Sequence, residues 1–206
     1  MIGIVDYGMG NLKSVERAFL HEGCEVCVTN DRKQLEKADG IVFPGQGAFT
    51  DAVKNVDRYG LRDFLREWVA SNRPFLGICM GLQLLFTLSE EGGDSPGLDI
   101  VEGNVRRFPL GDKVPQMGWN SVRITENGKD CPLLDGIKDG EYFYFVHSYY
   151  VDPVEKDVVA LETDYNVTYA SMVWKDNLFA VQFHPEKSQD AGLKMVSNFK
   201  KIVEQG

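Results

Sequence analysis

The sequence predicts an α/β fold: a mostly parallel sheet flanked by helices, with antiparallel strands added in the C-terminal half. Three observations carry that reading. Short apolar runs alternate with helical patterns through the first 80 residues, the pattern of strands joined by crossover helices. Beyond residue 140 the apolar runs follow one another across short polar turns, the pattern of hairpins. The last segment carries Leu193, Val196, Phe199 and Val203 at helical spacing, so one face packs against the sheet.

Taken in order, "IGIVD" (2–6) is the first strand, followed by a helix over 11–22. "CEVCV" (24–28), a short helix over 31–37 and "GIVFP" (40–44) continue the alternation. Helices over 48–55 and 60–71 precede "PFLGI" (74–78), and a further helix begins at about residue 80. From 87 to 120 glycines and prolines point to irregular chain. Then come strands over "EYFYFVHSYYV" (141–151), "DVVALET" (157–163), "VTYASMVW" (167–174) and "NLFAVQFHP" (177–185), and the closing helix 190–205. No repeat or low-complexity linker divides the chain, so 1–206 reads as one domain.

Composition narrows the function. Of 206 residues 43% are hydrophobic, enough for one substantial core. Acidic residues outnumber basic ones 31 to 22, net charge −9, with no Lys/Arg stripe to track phosphates, which argues against nucleic acid. The first strand starts at once, with no targeting segment before it, and no stretch approaches the ~20 apolar residues of a membrane span. A soluble, cytoplasmic protein is expected. Cys24, Cys27, Cys79 and Cys131 are too few for a disulfide scaffold. Cys24 and Cys27 form C-x-x-C, but in a strand an offset of three points their side chains to opposite faces, which suits neither a redox pair nor zinc.

The chemistry concentrates at strand ends. "GICMG" (77–81) has the form Gly-x-nucleophile-x-Gly at a strand-to-helix junction. A residue there is forced into a strained turn, needs small neighbours and projects above the sheet edge. The helix N-terminus beyond it favours a thiolate, and the Met80 N–H points where an oxyanion would form. As base, His184 in "AVQFHPEKS" ends an apolar strand, with Glu186 two residues on; in extended chain i and i+2 share a face, and Pro185 keeps the segment extended. His147 in "YFVHSYY" is a rival without a nearby carboxylate, and His21 belongs to a helix surface. "FPGQGAF" (43–49) can bring backbone N–H groups close to a substrate. "DYGMGNLKS" (6–14) fits neither a dinucleotide fingerprint nor a phosphate loop, leaving either a tight turn or N–H groups for a carboxylate or protein partner. Loops after 6, 44, 78 and 184 share the carboxyl edge, where α/β sheets build sites.

Cys79 in "GICMGLQLLF", "HPE" at 184–186 and "PGQGAF" together resemble the class I glutamine amidotransferases. "DYGMGNLKS", "PQMGWN" (115–120) and "YFVHSYY" extend the likeness end to end, toward the glutaminase subunits of imidazole glycerol phosphate synthases. The resemblance implies Cys79, His184 and Glu186 as catalytic triad, with glutamine bound by Gly45, Gly47, Met80, Gln83, Ser148 and Tyr149. It implies no cofactor or metal, and a (β/α)8-barrel cyclase partner that takes the ammonia, met by Asn11, Trp119, Tyr144 and Lys187. Gln46 stands where the family's loop carries valine. The glutaminase of a different synthase and a catalytically silent partner-binding scaffold are the rival readings.

Overall fold

The computed structural model describes residues 1–109 and 113–205. The N-terminal half runs β1 (Ile2–Val5), α1 (Leu12–His21), β2 (Val26–Thr29), α2 (Arg32–Leu35), β3 (Gly40–Gly45), α3 (Phe49–Arg58), α4 (Arg62–Ala70), β4 (Phe75–Cys79) and α5 (Met80–Gln83). Next come β5 (Phe86–Ser89), β6 (Ser95–Pro96), β7 (Val101–Arg107), β8 (Gln116–Ser121) and β9 (Arg123–Ile124). The chain closes with β10 (Tyr142–His147), β11 (Tyr149–Pro153), β12 (Val159–Tyr165), β13 (Val167–Lys175), β14 (Leu178–Val181) and α6 (Gln189–Gln205).

The main sheet has the order β2-β1-β3-β4-β14-β13-β11-β7-β5-β6, with β12 and then β9 branching from β13. Its first five strands are parallel, so the loops after β1, β3, β4 and β14 emerge at one edge, as expected. Alternation along these strands feeds two cores. Ile4, Val42 and Ile78 face α1 and α6, where Phe19 meets Phe199 edge-on at 6.1 Å. Val5, Ile41 and Phe43 face α3 and α4, among Phe49, Val56, Leu65 and Trp68.

Four expectations change. About half of the stretch 87–120 is strand, supplying most of β5 and β8 and all of β6 and β7, because β5 pairs with both β6 and β7 and β8 pairs with β10; residues 110–112 lie outside the described residues. The helix from residue 80 is a single turn, and Phe86 already belongs to β5, so a contiguous apolar run held both elements. The single strand over 141–151 breaks at Ser148. β10 pairs with β8 in a separate two-stranded sheet, while β11 joins the main one. Finally, Cys24 precedes β2 and is buried in the α1/α6 core, whereas the Cys27 thiol meets Gln34 Oε1 at 3.6 Å; all four cysteines are free.

Gly81 shows how tightly the nucleophile region is packed: a Cβ there would drive into the Phe43 carbonyl oxygen of β3. Gly81→Ala should therefore cost about 2–3 kcal/mol in chemical denaturation, the usual penalty of overpacking. A loss below about 0.5 kcal/mol, typical of an open surface site, would contradict this packing.

Candidate active site

Cys79 sits at the β4–α5 junction with φ 54° and ψ −106°, a backbone conformation rare for a residue with a side chain. Register places Gly45 of β3 directly across from it, so the glycine loop starts beside the thiol. A Cβ on Gly45 would strike the Tyr7 hydroxyl and come within 2.8 Å of Met80 Cβ, and Gly47 has φ +105°. Only glycine permits that approach. Met80 opens α5, so its N–H has no acceptor within the helix.

The N-terminal loop underlies this glycine loop. Gly10 packs on the Gly45 backbone and Met9 on Gly47, while the Gly8 N–H donates to Asp6 Oδ1 at 3.0 Å. Its glycines serve a turn and a close loop contact. The Tyr7 hydroxyl is wholly buried with no hydrogen-bond partner among the described residues, and burial together with charge on Cys79 holds its pKa well above the phenol range.

His184 lies on the segment that leaves β14, with its backbone held by Tyr144 of β10 and by Ser188 Oγ. Its Nδ1 is 2.8 Å from Glu186 Oε1, and both side chains are almost fully buried. The route differs from the sequence expectation. His184 itself is extended, but Pro185–Lys187 coil into a 3-10 turn that folds Glu186 back onto the ring. Proline's fixed φ suits the first position of such a turn. Among the described residues Nε2 has no partner of hydrogen-bond geometry, though the ring lies near enough to Cys79 to feel its charge. Burial pulls the imidazole toward its neutral form, but negative charge on Cys79 and Glu186 outweighs it and raises the pKa to about 10.

His147 is different. Its Nδ1 lies 2.8 Å from the Tyr149 carbonyl and its Nε2 3.2 Å from the Tyr169 hydroxyl, and burial lowers its pKa to about 4. Both ring nitrogens are engaged, so the rival base drops out.

A cavity of about 450 Å³ opens above the thiol, lined by Gln46, Gly47, Cys79, Met80, Gln83, Glu91, Tyr144, Ser148, Tyr149 and Lys187 among others. Six of the residues expected around substrate or thiol therefore meet there; Gly45 stands across the register from Cys79, while His184 and Glu186 are not part of the lining, and Glu186 borders a separate cleft beside α1. Gln83 is 3% exposed, and its amide nitrogen is committed to the Tyr149 carbonyl and to Gln182 Oε1. Two residues escaped sequence reasoning. Glu91, the one carboxylate among the described lining residues, accepts from the Phe49 N–H at 3.0 Å, and burial raises its pKa. Gln182 Nε2 lies 3.7 Å from Cys79 Sγ. Its only signal was its place in the strand register.

A family model for class I glutamine amidotransferases matches residues 3–202. The chain belongs to the class I glutamine amidotransferases. Among amidotransferase relatives, it is 47% identical over 203 residues to imidazole glycerol phosphate synthase subunit HisH of Caldanaerobacter subterraneus subsp. tengcongensis, covering 98% of each chain. It is 50% identical over 202 residues to the protein of that name from Moorella thermoacetica, covering 98% of this chain and 95% of the relative. A solved glutamine amidotransferase superposes with a TM-score of 0.76 at 18% identity, covering 98% of both chains, and shares the fold.

Of the partner residues expected for this amidotransferase, Trp119 and Tyr144 meet edge-on at 6.2 Å and Lys187 Nζ lies 6.0 Å over the Tyr144 ring; Tyr144 and Lys187 line the cavity and Trp119 does not. Asn11 is exposed at the same sheet edge and caps α1 by accepting from the Ser14 N–H. Among the described residues, no group of three or more His, Cys, Asp or Glu side chains is placed to hold a metal, and no helix is long and apolar enough to cross a membrane.

Because the folded His184 pKa lies above its ordinary ~6.5, the protonated pairing stabilises the fold fully below that pH and is lost as pH rises through about 10. A histidine NMR titration should find His184 charged at about pH 8 and His147 neutral until about 4. Both rings titrating near the ordinary ~6.5 would contradict the electrostatics of the site.

Proposed function

We propose that this chain is the glutaminase subunit of an imidazole glycerol phosphate synthase, acting in the cytoplasm in histidine biosynthesis, with one domain carrying the whole half-reaction. The observation that carries the chemistry is the buried His184–Glu186 pair coupled to a thiol on a strained turn beneath a cavity. The assignment to this synthase rests on the near-complete mutual coverage with relatives of that name.

Cys79 Sγ, its proton transferred to His184 Nε2, attacks the side-chain carboxamide carbon of glutamine. The oxyanion that develops faces the N–H groups of Met80 and of the Gly45–Gly47 loop. His184 returns its proton to the departing nitrogen, ammonia leaves and a thioester remains. Water, losing a proton to His184, then opens the thioester to glutamate and free thiol. Glu186 fixes the ring's tautomer and stabilises its charged form. In the cavity Glu91 suits the α-ammonium of glutamine, and Ser148 and Tyr149 line the same space.

Ammonia passes to a (β/α)8-barrel cyclase, which forms imidazole glycerol phosphate and aminoimidazole carboxamide ribotide. The partner covers the face with Asn11, Trp119, Tyr144 and Lys187, where Met117 and Tyr142 also stand exposed. Large apolar side chains crowded on so small a sheet mark an interaction surface.

Glutamate release, measured with and without the barrel subunit, tests the proposal. In the complex, Cys79→Ala should lose at least about 1000-fold and Glu186→Gln less, since orientation is lost while the nucleophile remains. Full turnover in Cys79→Ala, or no turnover by the intact complex, would overturn it.

A further inference from the structure

A line of buried hydrogen bonds ends on the nucleophile. The Tyr149 carbonyl accepts from His147 Nδ1–H at 2.8 Å and from Gln83 Nε2–H at 2.9 Å. Gln83 Nε2 also donates to Gln182 Oε1 at 3.1 Å, and Gln182 Nε2 lies 3.7 Å from Cys79 Sγ. Gln182 is wholly buried, and β14 register sets it there: Val181 pairs with Ile78, so the next residue stands alongside Cys79.

The direction of this line is fixed by chemistry. A carbonyl oxygen can only accept, so Gln83 must turn its NH2 toward Tyr149. That NH2 then needs an acceptor on its other side, which sets Gln182 Oε1 against it and leaves the Gln182 NH2 facing the sulfur. Across the sulfur lies the Val146 carbonyl at 3.9 Å. A thiol can donate to Val146, whereas a thiolate is repelled by that carbonyl and gains from the Gln182 donor.

We propose that Gln182 is a further catalytic residue, its amide N–H holding the Cys79 sulfur as a thiolate, with Gln83 acting through it as a positioning residue. When the Sγ proton moves to His184 Nε2, the negative charge left on sulfur accepts from Gln182. The tie to turnover rests on the glutaminase reading; the tie to the thiolate does not.

Gln182→Met keeps length and burial and removes the donor. Alkylation of Cys79 by iodoacetamide at neutral pH should slow about tenfold, the scale of one hydrogen bond to a charged group, and its pH profile should move upward. With the barrel subunit present, kcat for glutamine should fall about tenfold while KM stays within about twofold, because Gln182 does not line the cavity. Adding Gln83→Met should slow alkylation no further, since coupled residues are not additive. An unchanged alkylation rate and pH profile in folded Gln182→Met would overturn the proposal, and additive losses would overturn the role of Gln83. Should Gln182→Met not fold, Gln182→Asn, which withdraws the amide from the sulfur, must show the same shift or the proposal fails. Slowed alkylation in a protein whose wild type consumes no glutamine would sink the glutaminase reading and leave the thiolate donor standing.

Discussion

The site depends on one backbone turn. At φ 54° and ψ −106°, Cys79 occupies a conformation that costs on the order of 1–3 kcal/mol for a residue with a side chain. The turn persists because its surroundings leave no alternative. β4 is pinned between β3 and β14, Gly81 lies against the Phe43 carbonyl, and a Cβ on Gly77 would come within 3.0 Å of both Ala180 Cβ and the Gly81 carbonyl oxygen. What the strain purchases is direction: the sulfur leaves the sheet plane toward His184, Gln182 and the cavity at once.

Around that sulfur, two polar systems with opposite tasks are kept apart by what their members can donate. His184 is buried against a carboxylate and a sulfur, so it favours the charged form. His147 is fully buried with no negative charge beside it, and that burial, helped by the charge on His184, outweighs the Tyr149 carbonyl, so it stays neutral and serves as a fixed donor. Two buried histidines thus reach opposite ends of the range because only His184 has negative charge beside it to offset burial. The Tyr149 carbonyl links the second system to the nucleophile by accepting from both sides.

Much of this was legible in the sequence wherever the signal is local. The parallel half showed in its alternation, and the elbow in "GICMG", because a strained turn demands small neighbours in the chain itself. The H-x-E pair was found, though for an incomplete reason, since a 3-10 turn rather than extended chain joins His184 to Glu186. Signals set by pairing were invisible. Nothing in residues 87–107 announces β5 and β7, which are strands by virtue of each other. Ser148 gives no sign that the chain changes sheets there, and Gln182 reads as one polar residue in an apolar run until register sets it beside Cys79.

The claim that this turn is held against its own preference is open to a direct measurement. Cys79→Gly and Cys79→Ala both remove the thiol and differ in the φ they tolerate, so chemical denaturation of the two isolates the backbone. At an ordinary buried position glycine is the less stable by about 0.5–1 kcal/mol. Here Cys79→Gly should be the more stable by about 1 kcal/mol or more, because glycine adopts positive φ without strain. Cys79→Ala proving the more stable would show that Cys79 carries no such strain.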